Sequence, residues 1–116
     1  MINPDSIPHV LIVDDEPDII ELLELTLARM GMHVTSALNI ANAKALLQSH
    51  AYQLCLTDMR LEDGSGLDLI QEIDPDAKTR IVVMTAHPTL DIAIDSLRAR
   101  VADFLIKPVD VQHLLS

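Results

Sequence analysis

A chain of 116 residues forms one domain with an ordinary core and needs no staples. Its net charge of −10 argues against unaided binding of nucleic acid or anionic membrane. One cysteine, Cys55, excludes an internal disulfide and fits a reducing cytoplasm. Residues 1–8 lack the charged and apolar regions of a signal peptide and read as a leader. No apolar stretch is long enough to span a bilayer. Tyr52 and Phe104 are the only aromatics besides the histidines, so the core must come from Leu, Ile, Val, Ala and Met.

Strand-like runs alternate with amphipathic stretches. The first run, His9–Val13, precedes a helix opened by Pro17, with Gly31 just past its end. Ile19, Leu22, Leu23, Thr26, Leu27 and Met30 are predicted on one face of that helix, opposite Asp18, Glu21, Glu24 and Arg29. Met32–Ala37 is a weaker second strand. Asn39 is placed to cap a helix bearing Ile40, Ala43, Leu46 and Leu47. The continuous apolar run Leu54–Thr57 suits a third strand covered on both faces. The loop 60–66 leads into a short helix with Leu67, Ile70 and Ile73, broken at Asp74-Pro75-Asp76. A fourth strand, Ile81–Met84, precedes a helix with Leu90, Ala93, Ile94, Leu97 and Val101 at helical spacing. Phe104–Ile106 is the fifth strand. Residues 110–116 start another helix of about two turns, which reads as a last helix cut short. The alternation predicts an α/β doubly wound parallel sheet, and right-handed crossovers leave few strand orders.

Four runs deliver polar groups at their C-terminal ends: Asp14-Asp15, Asp58, Thr85 and Lys107. As neighbouring parallel strands they would bring three carboxylates, a hydroxyl and an ammonium into one crevice, where open α/β folds bind ligands. Mg²⁺ takes few carboxylates and keeps waters for phosphate oxygens, which suits Asp15 and Asp58 with Asp14 in support. Crowded carboxylates predict at least one raised pKa without metal. With the charge offset, Asp58 is the candidate nucleophile toward phosphorus. Lys107 and the Thr85 hydroxyl would bind phosphoryl oxygens, and small Ala86 would let the backbone approach them.

These residues, with Asp103-Phe104 and Lys107-Pro108 in the same order, closely resemble the receiver domain of bacterial two-component response regulators over 9–116. The resemblance implies the flavodoxin-like fold with five-strand order 2-1-3-4-5, and an output module beyond the chain. It implies that Asp58 accepts phosphate from a histidine kinase or phosphotransfer protein. Asp15, Asp58 and the Met59 carbonyl would hold Mg²⁺, with Mn²⁺ as the alternative and Asp14 in support. Thr85 and Phe104 would form a switch pair, with Thr85 swinging to the phosphoryl group and Phe104 turning into the space. The Lys107–Pro108 bond is expected to be cis. Such a cytoplasmic domain is no turnover enzyme: it catalyses only its own phosphoryl transfer and dephosphorylation, shifting a two-state population. Met59-Arg60 and Asp63-Gly64 are similar to receivers attached to transcriptional activators, with cyclic-dinucleotide enzymes and kinases as alternatives. Asp91, Asp95 and Arg98 would permit a homodimer through the fourth helix and fifth strand.

Blander readings stand beside these. Asp14-Asp15-Glu16 alone reads equally well as an acidic helix entrance, but beside Asp58 and Lys107 the site reading prevails. Phe104 alone is core, Lys107 alone a solvated cation, and Thr85 alone a strand end. Cys55 reads as a buried strand residue. The histidines at 9, 33, 50, 87 and 113 lack metal-ligand spacing and read as surface or loop residues, with His87 a spectator at the rim of the site. Glu62 and Arg100-Val101 stand where receivers commonly carry Pro and Gly-Ala. A hydrolase of the haloacid dehalogenase type would need Asp-x-Asp after its first strand and room for a cap, and neither is present. A degenerate receiver acting only as a binding module ranks below the phosphoacceptor. A flavin or dinucleotide binder lacks its Gly-rich loop after the first strand.

Overall fold

The computed structural model describes residues 7–73, 78–86, 103–107 and 109, with Asp103 and Phe104 described by backbone alone. The predicted helix over 90–101, the final helix, the Phe104 side chain, the Pro108 peptide and His87 and His113 lie outside the described residues. Strands β1 (His9–Val13), β2 (His33–Ala37), β3 (Leu54–Asp58), β6 (Arg80–Thr85) and β7 (Asp103–Ile106) form one sheet in the order β2-β1-β3-β6-β7. All four pairings are parallel. Two short strands that sequence reading did not anticipate, β4 (Arg60–Leu61) and β5 (Gly64–Ser65), make a small antiparallel hairpin. With that hairpin set aside, the order is the expected 2-1-3-4-5.

Alternation along the strands builds a core on each face. Val10, Ile12, Leu54, Leu56, Val82 and Met84 pack with α1 (Pro17–Arg29). Leu11, Val13, Cys55, Ile81 and Val83 pack with α2 (Ile40–Ser49) and the segment from Tyr52 to Leu69. Both faces of β3 are therefore dry, as its unbroken apolar run requires. Cys55 is fully buried and its thiol is pushed up to about 12 by burial, so it is inert core.

Helix α1 departs from the predicted stripe. Ile20, Leu23 and Leu27 are buried, whereas Leu22 and Met30 are 62% and 43% exposed. Its end is a Schellman motif: Gly31 N–H donates to the Ala28 carbonyl and Met32 N–H to Leu27, with Gly31 at φ 86°. Helix α2 begins as expected, Asn39 accepting the Asn42 N–H at 2.8 Å. Leu46 and Leu47 are only partly buried.

The third predicted helix is instead a 3₁₀ helix over Gly66–Glu72. Leu67, Ile70 and Ile73 recur every three residues, the 3₁₀ repeat, and form a half-buried ridge beside fully buried Leu69. A capping box opens it: Ser65 Oγ accepts the Leu67 N–H, and Asp68 Oδ2 accepts the Ser65 N–H. His9 and His33 lie on paired strands with rings 4.8 Å apart, His33 exposed at the surface and His9 half-buried.

Candidate functional site

Parallel pairing places the ends of β1, β3, β6 and β7 side by side, and hydrogen bonds carry that alignment past the strands. Asp14 N–H donates to the Ala37 carbonyl, Met59 N–H to Met84, and Lys107 N–H to Thr85. Asp14, Asp58, Thr85 and Lys107 therefore leave neighbouring strands at one edge. All but Asp14, which lies beneath, border a cleft of about 280 Å³ lined by Asp15, Glu16, Asp58, Met59, Arg60, Thr85, Ala86 and Lys107.

Asp14 is fully buried, Asp58 nearly so, and Asp15 and Glu16 are exposed. Carboxylate oxygens of all four lie within 4.8 Å of one another. Lys107 Nζ sits 3.0 Å from Asp14 Oδ2, 3.2 Å from Asp58 Oδ2 and 3.6 Å from Glu16 Oε1. Asp14 is anchored further by the Glu16 N–H, which donates to its Oδ1. Four carboxylates facing one ammonium leave an excess of negative charge, with acceptors for a hard divalent cation.

Burial, first, pushes the Asp58 carboxyl above its usual range; Lys107 pulls it down and Asp14 pushes it up again. Crowding was expected to raise a carboxyl here, but burial outranks repulsion as the cause. Burial pulls the Lys107 ammonium down, yet its hydrogen bond to Asp14 and the charges of Asp14 and Asp58 outweigh that, so it sits above its ordinary range.

Apart from Phe104, whose backbone pairs with Val83 inside the sheet, every predicted site residue that is described lies at this edge. Thr85 is buried at the end of β6. The Met59 carbonyl accepts the Gly66 N–H at 2.9 Å and retains a second lone pair. Sequence reasoning missed Glu16 as a member of the acidic cluster and Arg60 as part of the wall, although both are charged residues within two positions of a predicted site residue. It also passed over Gly66. A Cβ there would meet the Asp58 carbonyl oxygen at 2.2 Å and Thr57 Oγ1 at 2.7 Å.

The model of the response regulator receiver domain matches residues 10–116. The chain belongs to that family. The response regulator protein PilR of Pseudomonas aeruginosa is 54% identical over 105 residues, covering 90% of this chain and 24% of that protein. The alginate biosynthesis transcriptional regulatory protein AlgB of Pseudomonas putida is 36% identical over 111 residues, 95% of this chain and 25% of the relative. The receiver domain thus spans about a quarter of the length of these relatives. It is also similar to a solved Burkholderia pseudomallei response regulator with a phosphorylated aspartic acid, calcium ion and citrate. That similarity has TM-score 0.81 and 28% identity, over 93% of this chain and 64% of the other. Among the described residues of this receiver domain, no helix is long and apolar enough to cross a membrane.

The Lys107 pair gives a stability prediction. Lys107→Met should destabilise the receiver domain by about 2–4 kcal/mol in urea unfolding without divalent metal, below the full cost of breaking a buried pair because water reaches the Glu16 side. The raised Lys107 pKa adds stability that is full below lysine's ordinary value and lost as pH rises through the folded value. That alkaline loss should be absent from the variant.

Proposed function

We propose that Asp58 is the phosphoacceptor of a response regulator and takes its phosphoryl group from a histidine kinase or phosphotransfer protein. An Asp58 carboxylate oxygen attacks phosphorus and an O–P bond forms. The P–N bond to the donor imidazole breaks, the ring nitrogen keeping the electron pair and regaining a proton from solvent. Asp15, Asp58 and the Met59 carbonyl hold Mg²⁺ (Mn²⁺ as alternative), with Asp14 in support. When bound, the metal supplies neutralisation of phosphoryl charge. Lys107, already 3.2 Å from Asp58 Oδ2, donates to a phosphoryl oxygen, and the Thr85 hydroxyl donates to another. Asp14 keeps the Lys107 ammonium aimed at the reacting carboxylate.

The observation that carries this reading is the convergence of Asp14, Asp58 and Lys107 from the ends of three strands onto one set of contacts. The chain turns over no substrate beyond its own phosphorylation and dephosphorylation. Thr85 and Phe104 relay the change as a switch pair beside a cis Lys107–Pro108 bond. The surface of the fourth helix and β7 then contacts its partner, in the same chain or in a second copy as a homodimer. Residues 9–116 form the receiver unit after a short leader, in the cytoplasm, joined to an output module that controls transcription. That last step is supported by the naming of AlgB as a transcriptional regulatory protein.

Intact mass after incubation with Mg²⁺ and acetyl phosphate tests the reading. We expect gain of one phosphoryl group, and none in chelator. No gain with several donors, and no beryllofluoride binding, would leave a binding module without phosphoacceptor chemistry.

A further inference from the structure

The hairpin β4–β5 starts two residues after Asp58, and its turn residue Asp63 reaches away from the cleft to a different element. Asp63 Oδ1 accepts the Ile40 N–H at 2.9 Å and Oδ2 accepts the Ala41 N–H at 3.1 Å. These are first-turn donors of α2 that the helix itself cannot satisfy, and Asn39 serves only the Asn42 N–H. The hairpin also packs there directly. A Cβ on Gly64 would meet Ile40 Cδ1 at 2.8 Å. The other side of the hairpin faces the cleft, with Arg60 in its wall, and its exit residue Gly66 donates to the Met59 carbonyl.

Resting on the reading of the cleft as a Mg²⁺-dependent phosphoacceptor site, we propose that Asp63 is a positioning residue that latches the hairpin to α2 and so fixes the Met59 carbonyl and Arg60. The pairing of Arg60 with Ser65 and of Leu61 with Gly64 makes the hairpin a short rigid lever. Leu61, buried in the core on the α2 side, anchors one strand, and the two Asp63 hydrogen bonds anchor the turn. Without them the turn is free to lift from α2. Gly66 and the carbonyl it holds follow. The backbone N–H of Ile40, foremost, keeps the Asp63 carboxyl below its usual range, so the latch is charged at neutral pH. A negative group at this helix start is also favoured by the macrodipole.

The alternative is that Asp63 merely caps α2, and Asn39 separates the two roles because it caps the same helix without touching the hairpin. The test is a Mg²⁺ titration followed by ¹H–¹⁵N NMR on wild type, Asp63→Ala, Asp63→Asn, Asn39→Ala and Asp58→Asn. Asp63→Ala should shift the Met59 and Arg60 amides before any metal is added. It should also raise the Mg²⁺ dissociation constant about tenfold, the low end for loss of an outer-shell partner. Asp63→Asn keeps one acceptor oxygen and should fall between. Asn39→Ala should leave Mg²⁺ affinity unchanged. Equal weakening by Asp63→Ala and Asn39→Ala, or wild-type affinity in Asp63→Ala, would overturn the latch alone. A wild type that does not bind Mg²⁺, or binds it no better than Asp58→Asn, would overturn the reading of the cleft and the latch with it.

Discussion

Asp58→Asn is expected to abolish phosphoryl uptake and, at neutral pH without metal, to raise the melting temperature. The first effect follows from chemistry, since an amide oxygen is too poor a nucleophile to form the acyl phosphate. The second follows from burial. The folded chain holds Asp58 above its ordinary pKa because desolvation and the Asp14 charge together outweigh Lys107. A carboxyl with a raised folded pKa contributes stability that is present below its unfolded value and lost as pH rises through the folded value. At neutral pH the ionised wild type therefore bears a cost that neutral asparagine does not. The gain should shrink as pH falls into the carboxylate range, where wild type is protonated too. Mg²⁺ should narrow it at neutral pH by stabilising the ionised wild type. Intact mass and thermal melts over pH, with and without Mg²⁺, measure both effects. A variant that melts below wild type at neutral pH would mean that Lys107 dominates the balance at Asp58. Phosphoryl uptake by the variant would remove Asp58 from its role.

The strands were legible because a parallel sheet covered on both faces demands unbroken apolar runs, and β1 and β3 have them. The polar residues ending those runs located the cleft, since parallel strands all point the same way. Helix α1 was legible in extent but not in face. Ile19, Ile20, Leu22, Leu23 and Leu25 offer more apolar surface than one stripe holds, and only the sheet's position selects Ile20 over Leu22. The 3₁₀ helix was hidden because a repeat of three residues over two turns also fits an α-helix. The hairpin was invisible for a different reason. Two residues per strand carry no periodicity, and its stability comes from Leu61 in the core and Asp63 on α2, both contacts distant in sequence.

Gly66→Ala should be the most damaging of the conservative changes, and its sign runs against habit. Replacing glycine by alanine in a helical turn ordinarily stabilises by about 0.4–1 kcal/mol where the backbone is compatible, by reducing freedom in the unfolded chain. At Gly66 the added Cβ falls 2.2 Å from the Asp58 carbonyl oxygen and 2.9 Å from Thr57 Cγ2. The first contact is backbone, so relief requires moving the end of β3 or the start of the 3₁₀ helix. The expected loss is about 3 kcal/mol, the upper part of the usual range for overpacking. Movement of β3 carries Asp58 with it, and either movement loosens the Gly66 bond to the Met59 carbonyl. Because misplacement by about 1 Å costs on the order of 100-fold in rate, phosphoryl uptake should slow even where the variant is fully folded. Gly31→Ala is the control. Gly31 has φ 86° with open space around it, so alanine there suffers only left-handed strain of about 1–2 kcal/mol. Urea melts with uptake rates measured well below each midpoint separate the two. Gly31→Ala should lose stability and keep its rate, whereas Gly66→Ala should lose both. Equal rates in the folded variants would mean that β3 yields without moving the carboxylate, and that Gly66 serves packing alone.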